Sequence, residues 1–379
     1  MKVLIAPQAF KGSLSAAKAA KAIEAGVRQV FPEAEVVRLP VADGGDGTLE
    51  ALVENTNGRM ISQQVTGPLG RPVDARWGVM GDGKTAVIEM AQASGLALIS
   101  PGSRDPRLST TFGTGQLIKA ALNHGYRRII IGLGGSATND GGAGMAQALG
   151  VRFLDRSGTI LPFGGAALAN LDSVDTSELY PILNEAEIIA ATDVTNPLCG
   201  SIGASVVYGP QKGASATVVK ELDRALARYA EVLIKSLGID VANRPGAGAA
   251  GGLGAGLIAF AQGEVKPGID LICDVLGFEE HLTGVNLIFT GEGRVDSTTV
   301  YNKAPIGVAK RAKIHNIPVI LLVGSLGRGY QAVYDYGIDA VVCIQDRPMS
   351  IRESLRRCYA LLVDATARSL RLPKLNIAP

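Results

Sequence analysis

This sequence is poor in the residues that carry covalent and metal chemistry. It holds three histidines in 379 residues, and His124, His281 and His315 each fall inside or at the end of a helical pattern, which makes them surface or capping residues. There is no GxSxG turn and no Cys–His arrangement, so a covalent nucleophile has no support. The four cysteines, Cys199, Cys273, Cys343 and Cys358, are far apart and form no CxxC pair. That argues against a zinc site or a disulfide framework and suits reduced thiols in a reducing compartment. Charge is balanced, with 37 Lys+Arg against 35 Asp+Glu, and no basic run is interleaved with aromatics, so nucleic acid is not an expected partner. No apolar run approaches ~20 residues, and the opening "MKVLIAPQAFKGS" is too short an apolar stretch for a signal peptide. The expectation is a soluble, cytoplasmic protein with no membrane partner, monomer or homodimer.

What is abundant is glycine, 48 residues, nearly twice the usual ~7%. The excess is clustered in "ADGGDGT" (42–48), "GLGGSATNDGGAG" (132–144), "PGAGAAGGLGAG" (245–256) and "TGEGRVD" (290–296). Such clusters sit where an α/β protein keeps its ligand-binding loops, because glycine lets a backbone approach a ligand closely. "KVLIAP" reads as a buried strand, the stretch from Ser13 to Phe31 as an amphipathic helix with Ser13 as N-cap, and "AEVVRLPVA" as a second strand. The C-terminal part repeats this alternation: strand "NLIFTG", helix near Pro305 to His315, strands "IPVILLVG" and "DAVVCI", and a final helix from about Ser350 to Leu370. Both ends therefore read as Rossmann-like. The middle, "PVDARWGVMGDGKTAVIEMA", has two β-rich runs around a Gly-Asp-Gly turn, which is hairpin grammar. The fold class expected is α/β: a Rossmann-like parallel-sheet domain from residues 1–65 and 285–379, with a second α/β domain, 66–284, inserted, and a ligand cleft between them.

Two motifs mislead. "GVMGDGKT", Gly78 to Thr85, matches the Walker A pattern, but a P-loop must run from a strand directly into a helix, and "TAVIEM" after Lys84 is β-branched and alternating. "GAGAAG", Gly246 to Gly251, matches GxGxxG, but no good strand precedes it and no acid follows about 20 residues on. Its glycines are expected to begin a close-packed helix from about Ala250 to Gln262.

Setting these aside leaves Lys11 and Ser13, Asp43 and Asp46 beside Gly44 and Gly45, and Ser136, Thr138, Asn139 and Asp140 beside Gly134 and Gly135. To these add Asp193, Thr195 and Asn196, Lys212, and Gly291, Glu292, Arg294 and Asp296. Most follow an apolar strand, and in open parallel sheets such loops collect at the carboxyl edge. The set mixes acids that can hold Mg2+ with cations that can neutralise phosphate, the mixture phosphoryl transfer requires. For each acid taken singly, helix capping or surface pairing is an equally good account.

The motifs "FKGSLSA", "PVADGGDGT", "FGTG", "GGSATNDGGAGMAQALG", "DVTNPLCG", "GPQKGA", "PGAGAAGGLG" and "TGEGRVDS" together resemble the bacterial type I glycerate kinases, in the group that makes 2-phosphoglycerate. The resemblance spans essentially the whole chain. It implies ATP-dependent phosphorylation of D-glycerate with Mg2+, in glyoxylate or sugar-acid catabolism, and it argues against a Walker A role for Lys84. Two positions depart from the pattern: Gln8 stands where relatives usually have Asp, and Asp46 where Glu is commoner. Within this reading, Asp193, Lys11 and Arg294 are the expected catalytic groups, and Asp43, Asp140 and Asp296 the metal ligands. Ser13, Gly44, Gly45, Gly134, Gly135, Ser136, Asn139, Asn196, Lys212, Gly291 and Glu292 are expected to bind substrate and nucleotide. A kinase of another small hydroxy acid, a non-catalytic glycerate or nucleotide sensor and a nicotinamide-dependent dehydrogenase stand as alternatives.

Overall fold

A computed structural model describes residues 1–301 and 303–371. Its strands are β1 (Lys2–Ile5), β2 (Glu35–Arg38), β3 (Arg59–Thr66), β4 (Pro72–Val79), β5 (Thr85–Glu89), β6 (Arg128–Gly132), β7 (Arg152–Leu154), β8 (Ser173–Asp175), β9 (Glu187–Thr192), β10 (Glu264–Pro267), β11 (Leu287–Glu292), β12 (Val319–Val323) and β13 (Ala340–Cys343). The chain divides into two compact units, one of residues 1–43, 50–55 and 269 onward, the other of 44–49 and 56–268.

The first unit is built on a five-stranded sheet in the order β13-β12-β11-β1-β2, with every pair parallel. Its central strands are apolar runs because helices cover both faces of a parallel sheet: Val3, Leu4 and Ile5 are buried, as are Leu321, Leu322 and Val323. The chain leaves β1 towards β2 on one side, while β11 leads to β12 and β13 on the other. The strand order therefore reverses between β1 and β11, and the loops after these two strands flank the crevice where such sheets bind ligands. The helices Ala16–Val30 and Ile351–Arg371 approach closely because Gly26 carries no side chain; a Cβ there would lie 2.5 Å from the Val363 carbonyl oxygen. The first of these helices is capped by Ser15, whose hydroxyl accepts from Lys18 N. Ser13, the expected cap, instead donates its hydroxyl to the Leu355 carbonyl at 2.6 Å.

The second unit holds a mixed sheet in the order β10-β9-β6-β5-β4-β3, over a core that includes Trp77, Ile88, Ile131 and Leu253, and a small β7-β8 ribbon. Its boundaries differ from those expected at three places: residues 44–49 and 56–65 fall in this unit and residues 269–284 in the first. Residues 59–65 are part of β3, which pairs antiparallel with β4 along its whole length, so the hairpin draws this strand into the second sheet. Residues 269–284 group with the first unit: Ile269 packs on Gly307, where a Cβ would meet its Cγ1 at 2.3 Å, and Arg311 donates to Asp274 at 2.7 Å.

Candidate functional site

In the first unit the loops after β1, β2 and β11 bring acids and cations together. Glu292 ends β11 and is 3% exposed, with the Thr299 hydroxyl donating to Oε1 at 3.0 Å. Burial pushes its carboxyl up to about 7, with Asp43 and Asp296 adding like charge while Lys303 and Thr299 pull the other way. Asp296 accepts from the Thr298 amide at 2.9 Å and hydroxyl at 2.6 Å, and Arg294 Nε lies 3.4 Å from its other oxygen. The Thr298 hydroxyl is the main reason this carboxyl sits below the usual range. Arg294 is 66% exposed on its side chain and Lys11 is exposed. Gly291 is required by close packing, since a Cβ would stand 2.9 Å from the Leu322 carbonyl oxygen and 3.2 Å from Phe10 Cζ. Gln8, one of the two departures from the family pattern, donates its backbone N–H to the Gly291 carbonyl at 2.9 Å, one residue from Glu292. Lys303, whose Nζ donates to Thr298 Oγ1 at 3.1 Å, and Thr299 were not expected here. Their only signal is their place between "TGEGRVD" and the helix Ala304–Ile314.

In the second unit the glycines expected to bind ligand meet each other. Gly134 donates its amide to the Gly44 carbonyl at 3.0 Å, and a Cβ on Gly134 would lie 2.3 Å from Gly45 Cα. Gly135, at φ +72°, would place a Cβ 2.4 Å from Asp46 Oδ1. These positions need glycine for backbone contact. Glu89, which attracted no notice in the sequence, accepts from Gly47 N at 3.0 Å and Leu49 N at 3.3 Å and so caps the helix Thr48–Asn55.

The polar run after Gly135 turns inward. Ser136, Thr138, Asn139 and Asp140 are all buried. Asp140, expected to hold metal, accepts at Oδ2 from Thr111 N (2.8 Å), Thr111 Oγ1 (2.8 Å) and Gly144 N (3.2 Å), and at Oδ1 from Gly142 N (3.2 Å). It ties the start of the helix Phe112–Asn123 to the turn before Ala143–Ala148, with both of its oxygens bonded to protein donors. Burial raises its carboxyl, against the pull of these four bonds. Asn139 donates to Ser205 Oγ at 2.9 Å. Lys212, expected to meet a ligand, is 2% exposed and donates to the Thr138 carbonyl at 2.7 Å; burial pulls its ammonium down to about 7, with Asp140 opposing. Asn196 braces its own loop, donating to the Ile202 carbonyl and accepting from the Tyr208 hydroxyl, at 2.8 and 2.7 Å. Asp193, half-buried after β9, adds its charge to the burial that drives the Tyr208 phenol up to about 12.

The two misleading motifs resolve physically. β4 and β5 pair antiparallel across residues 80–84, and Asp82 accepts from Lys84 N and Thr85 N at 2.8 and 2.9 Å; this is a hairpin turn. In the helix Ala249–Ala261, Ala250, Gly251 and Gly252 are left-handed, so regular helix begins later than expected. A Cβ on Gly251 would lie 1.9 Å from the Thr138 carbonyl oxygen: this glycine run is the lid on the 138–142 turn.

Among the described residues no three His, Cys, Asp or Glu side chains converge as a metal site, and no helix is long and apolar enough to cross a membrane. The model of the glycerate kinase family matches residues 3–374. The chain is 51% identical to a glycerate kinase of Bacillus subtilis over 98% of its length and 97% of the relative's. It is also 51% identical to a glycerate 2-kinase of Escherichia coli, over 95% and 94%. A crystal structure from Salmonella typhimurium LT2, provisionally assigned as glycerate kinase 2, superposes with a TM-score of 0.86 at 46% identity, covering 99% of this chain and 98% of that one. With the two-unit α/β architecture and the match running nearly end to end, the chain belongs to the glycerate kinase family.

Proposed function

We propose that this protein transfers the γ-phosphoryl group of ATP to the C2 hydroxyl of D-glycerate, giving 2-phosphoglycerate and ADP. The observation that carries this reading is the gathering of Asp43, Glu292 and Asp296 with Arg294 and Lys303 beside the point where the first unit's strand order reverses. Phosphoryl transfer is catalysed mainly by positioning and charge compensation, and this set supplies both. Lys11, Arg294 and Lys303 are assigned to the phosphate oxygens, and Glu292 to the proton of the attacking hydroxyl. A buried carboxyl held beside two other acids takes up a proton more readily than an exposed one.

Mg2+ suits Asp43 and Asp296: both are hard oxygen donors, and this ion is commonly held by one or two carboxylates plus the substrate's phosphates, without an all-protein cage. When bound it would neutralise charge on the β- and γ-phosphates. The test is ADP release measured across small hydroxy acids, with the product identified by phosphorus NMR. D-glycerate is expected to give the 2-phosphate; ADP release with D-glycerate but no phosphoglycerate signal sinks the reading.

A further inference from the structure

The first unit contains a cavity of about 210 Å³ that the acid cluster does not use. It opens at the carboxyl ends of β1, β11, β12 and β13 and is closed behind by the first turns of the helix Ile351–Arg371. Phe10, Ile344, Leu355 and Cys358 form its walls, while Ser325, Gln345 and Ser354 supply polar groups. Phe10 and Ile344 are buried, and the Ser13–Leu355 bond fixes the 10–14 loop against the helix. Lys11 and Gly293 complete the lining, and Gly293 follows Glu292 directly.

We propose that this cavity holds the adenine ring of ATP. The inference rests on the kinase reading above and places one part of its substrate. Size excludes the whole nucleotide, since pockets that bury complete drug-sized ligands run to roughly 300–1,000 Å³. Wall chemistry favours an uncharged, largely apolar group: a carboxylate or a phosphate pressed on Phe10, Ile344 and Leu355 would lose hydration on that side, and among the described residues Lys11 is the one cation in the lining. A flat, largely apolar ring with hydrogen-bonding edges loses nothing there. The Gln345 amide offers a donor and an acceptor side by side, as a base edge requires, and its present bond to Ser354 Oγ is long, at 3.5 Å. Direction agrees as well. From a ring seated here the phosphate chain passes Lys11 and Gly293 to reach Glu292, and Gly324 keeps the passage narrow, because a Cβ on it would meet the Gly293 carbonyl oxygen at 2.5 Å.

Two variants test the assignment. Ser354→Trp fills the cavity and is expected to raise KM for ATP at least tenfold while KM for glycerate stays within twofold. Gln345→Ala is expected to shrink the preference for ATP over GTP, taken as the ratio of kcat/KM values, at least fivefold; a purely structural loss would lower both nucleotides alike. If Ser354→Trp does not fold, the nucleotide ratio of Gln345→Ala decides. Unchanged KM for ATP with an unchanged ratio overturns the proposal, and so does a rise in KM for glycerate alone. Calorimetric titration of ATP into the wild type and both variants separates the two ideas. A wild type that binds ATP but phosphorylates no hydroxy acid fails the kinase reading, and the variants still test the cavity by their affinity.

Discussion

Two glycine-rich loops, each following a buried parallel strand, look alike in composition and have opposite fates. "GLGGSATNDGGAG" leaves β6 in the second unit and "TGEGRVD" leaves β11 in the first. The former is overlain by a third glycine run, Gly251 standing against the Thr138 carbonyl, so the Asp140 carboxylate and the Thr138 carbonyl are taken up by the protein's own donors and by Lys212, while Asn139 Oδ1 is buried without a partner. The latter lies beside the reversal in strand order, where Arg294 stays exposed and Glu292 is crowded by like charge. What sits over a loop decides whether its acids cap helices or remain for chemistry; the residue types alone do not.

The contrast can be broken most directly at Asp140. Asp140→Ala strands three buried amides and a hydroxyl, and is expected to cost at least about 3 kcal/mol of stability, read from the urea midpoint. A variant of native stability that has lost turnover would return Asp140 to the site. Next is Glu292→Gln, expected to lower kcat about 10²-fold. Here the sign of the pH effect is informative. The carboxyl is raised from 4.5 to about 7, so its contribution to stability is full below about pH 4.5 and is lost as pH rises through about 7. Metal-free wild type should weaken over that window and the Gln variant should not; parallel profiles would show Glu292 to be ordinarily solvated.

Lys212 should show the opposite slope. Its pKa is depressed from 10.5 to about 7, so the stability it contributes is present above about pH 10.5 and is lost as pH falls through about 7. Between pH 9 and pH 6 the wild type should lose on the order of 2 kcal/mol relative to Lys212→Met, measured by denaturant titration. Equal losses in both proteins would place the ammonium in water. The smallest effect is expected at the false Walker motif: Lys84→Ala should leave affinity for ATP within about threefold, because a hairpin-turn lysine is a solvated charge. A hundredfold loss by calorimetry would restore the P-loop reading.

Strand-forming runs were legible because burial on both faces leaves an uninterrupted apolar signature, as in "KVLI" and "VILLV". The hairpin at Lys84 was legible from the β-branched residues after it. Which serine caps the first helix was not: Ser13 and Ser15 satisfy the same local rule, and the choice went to Ser15 because Leu355, far along the chain, takes the Ser13 hydroxyl. The roles of Asp140 and Lys212 were hidden for a similar reason, since their partners Thr111 and Thr138 are nearby only after folding. Glu89 gave no warning because a carboxylate ending an apolar strand looks the same whether it caps a neighbouring helix or faces water.

β1 pairs with β11 through Val3 and Leu287, partners separated by most of the chain. On a ribosome adding roughly 5–20 residues per second, the first strand waits on the order of 15–60 s for that partner, while the second unit's strands are already complete at Pro267. Throughout that interval one edge of a short strand, apolar from Val3 to Ile5, is open to pairing with other nascent chains. The order of synthesis thus leaves the N-terminal strand, which can pair early with β2 on one side, with its other edge in need of chaperone cover until β11 emerges.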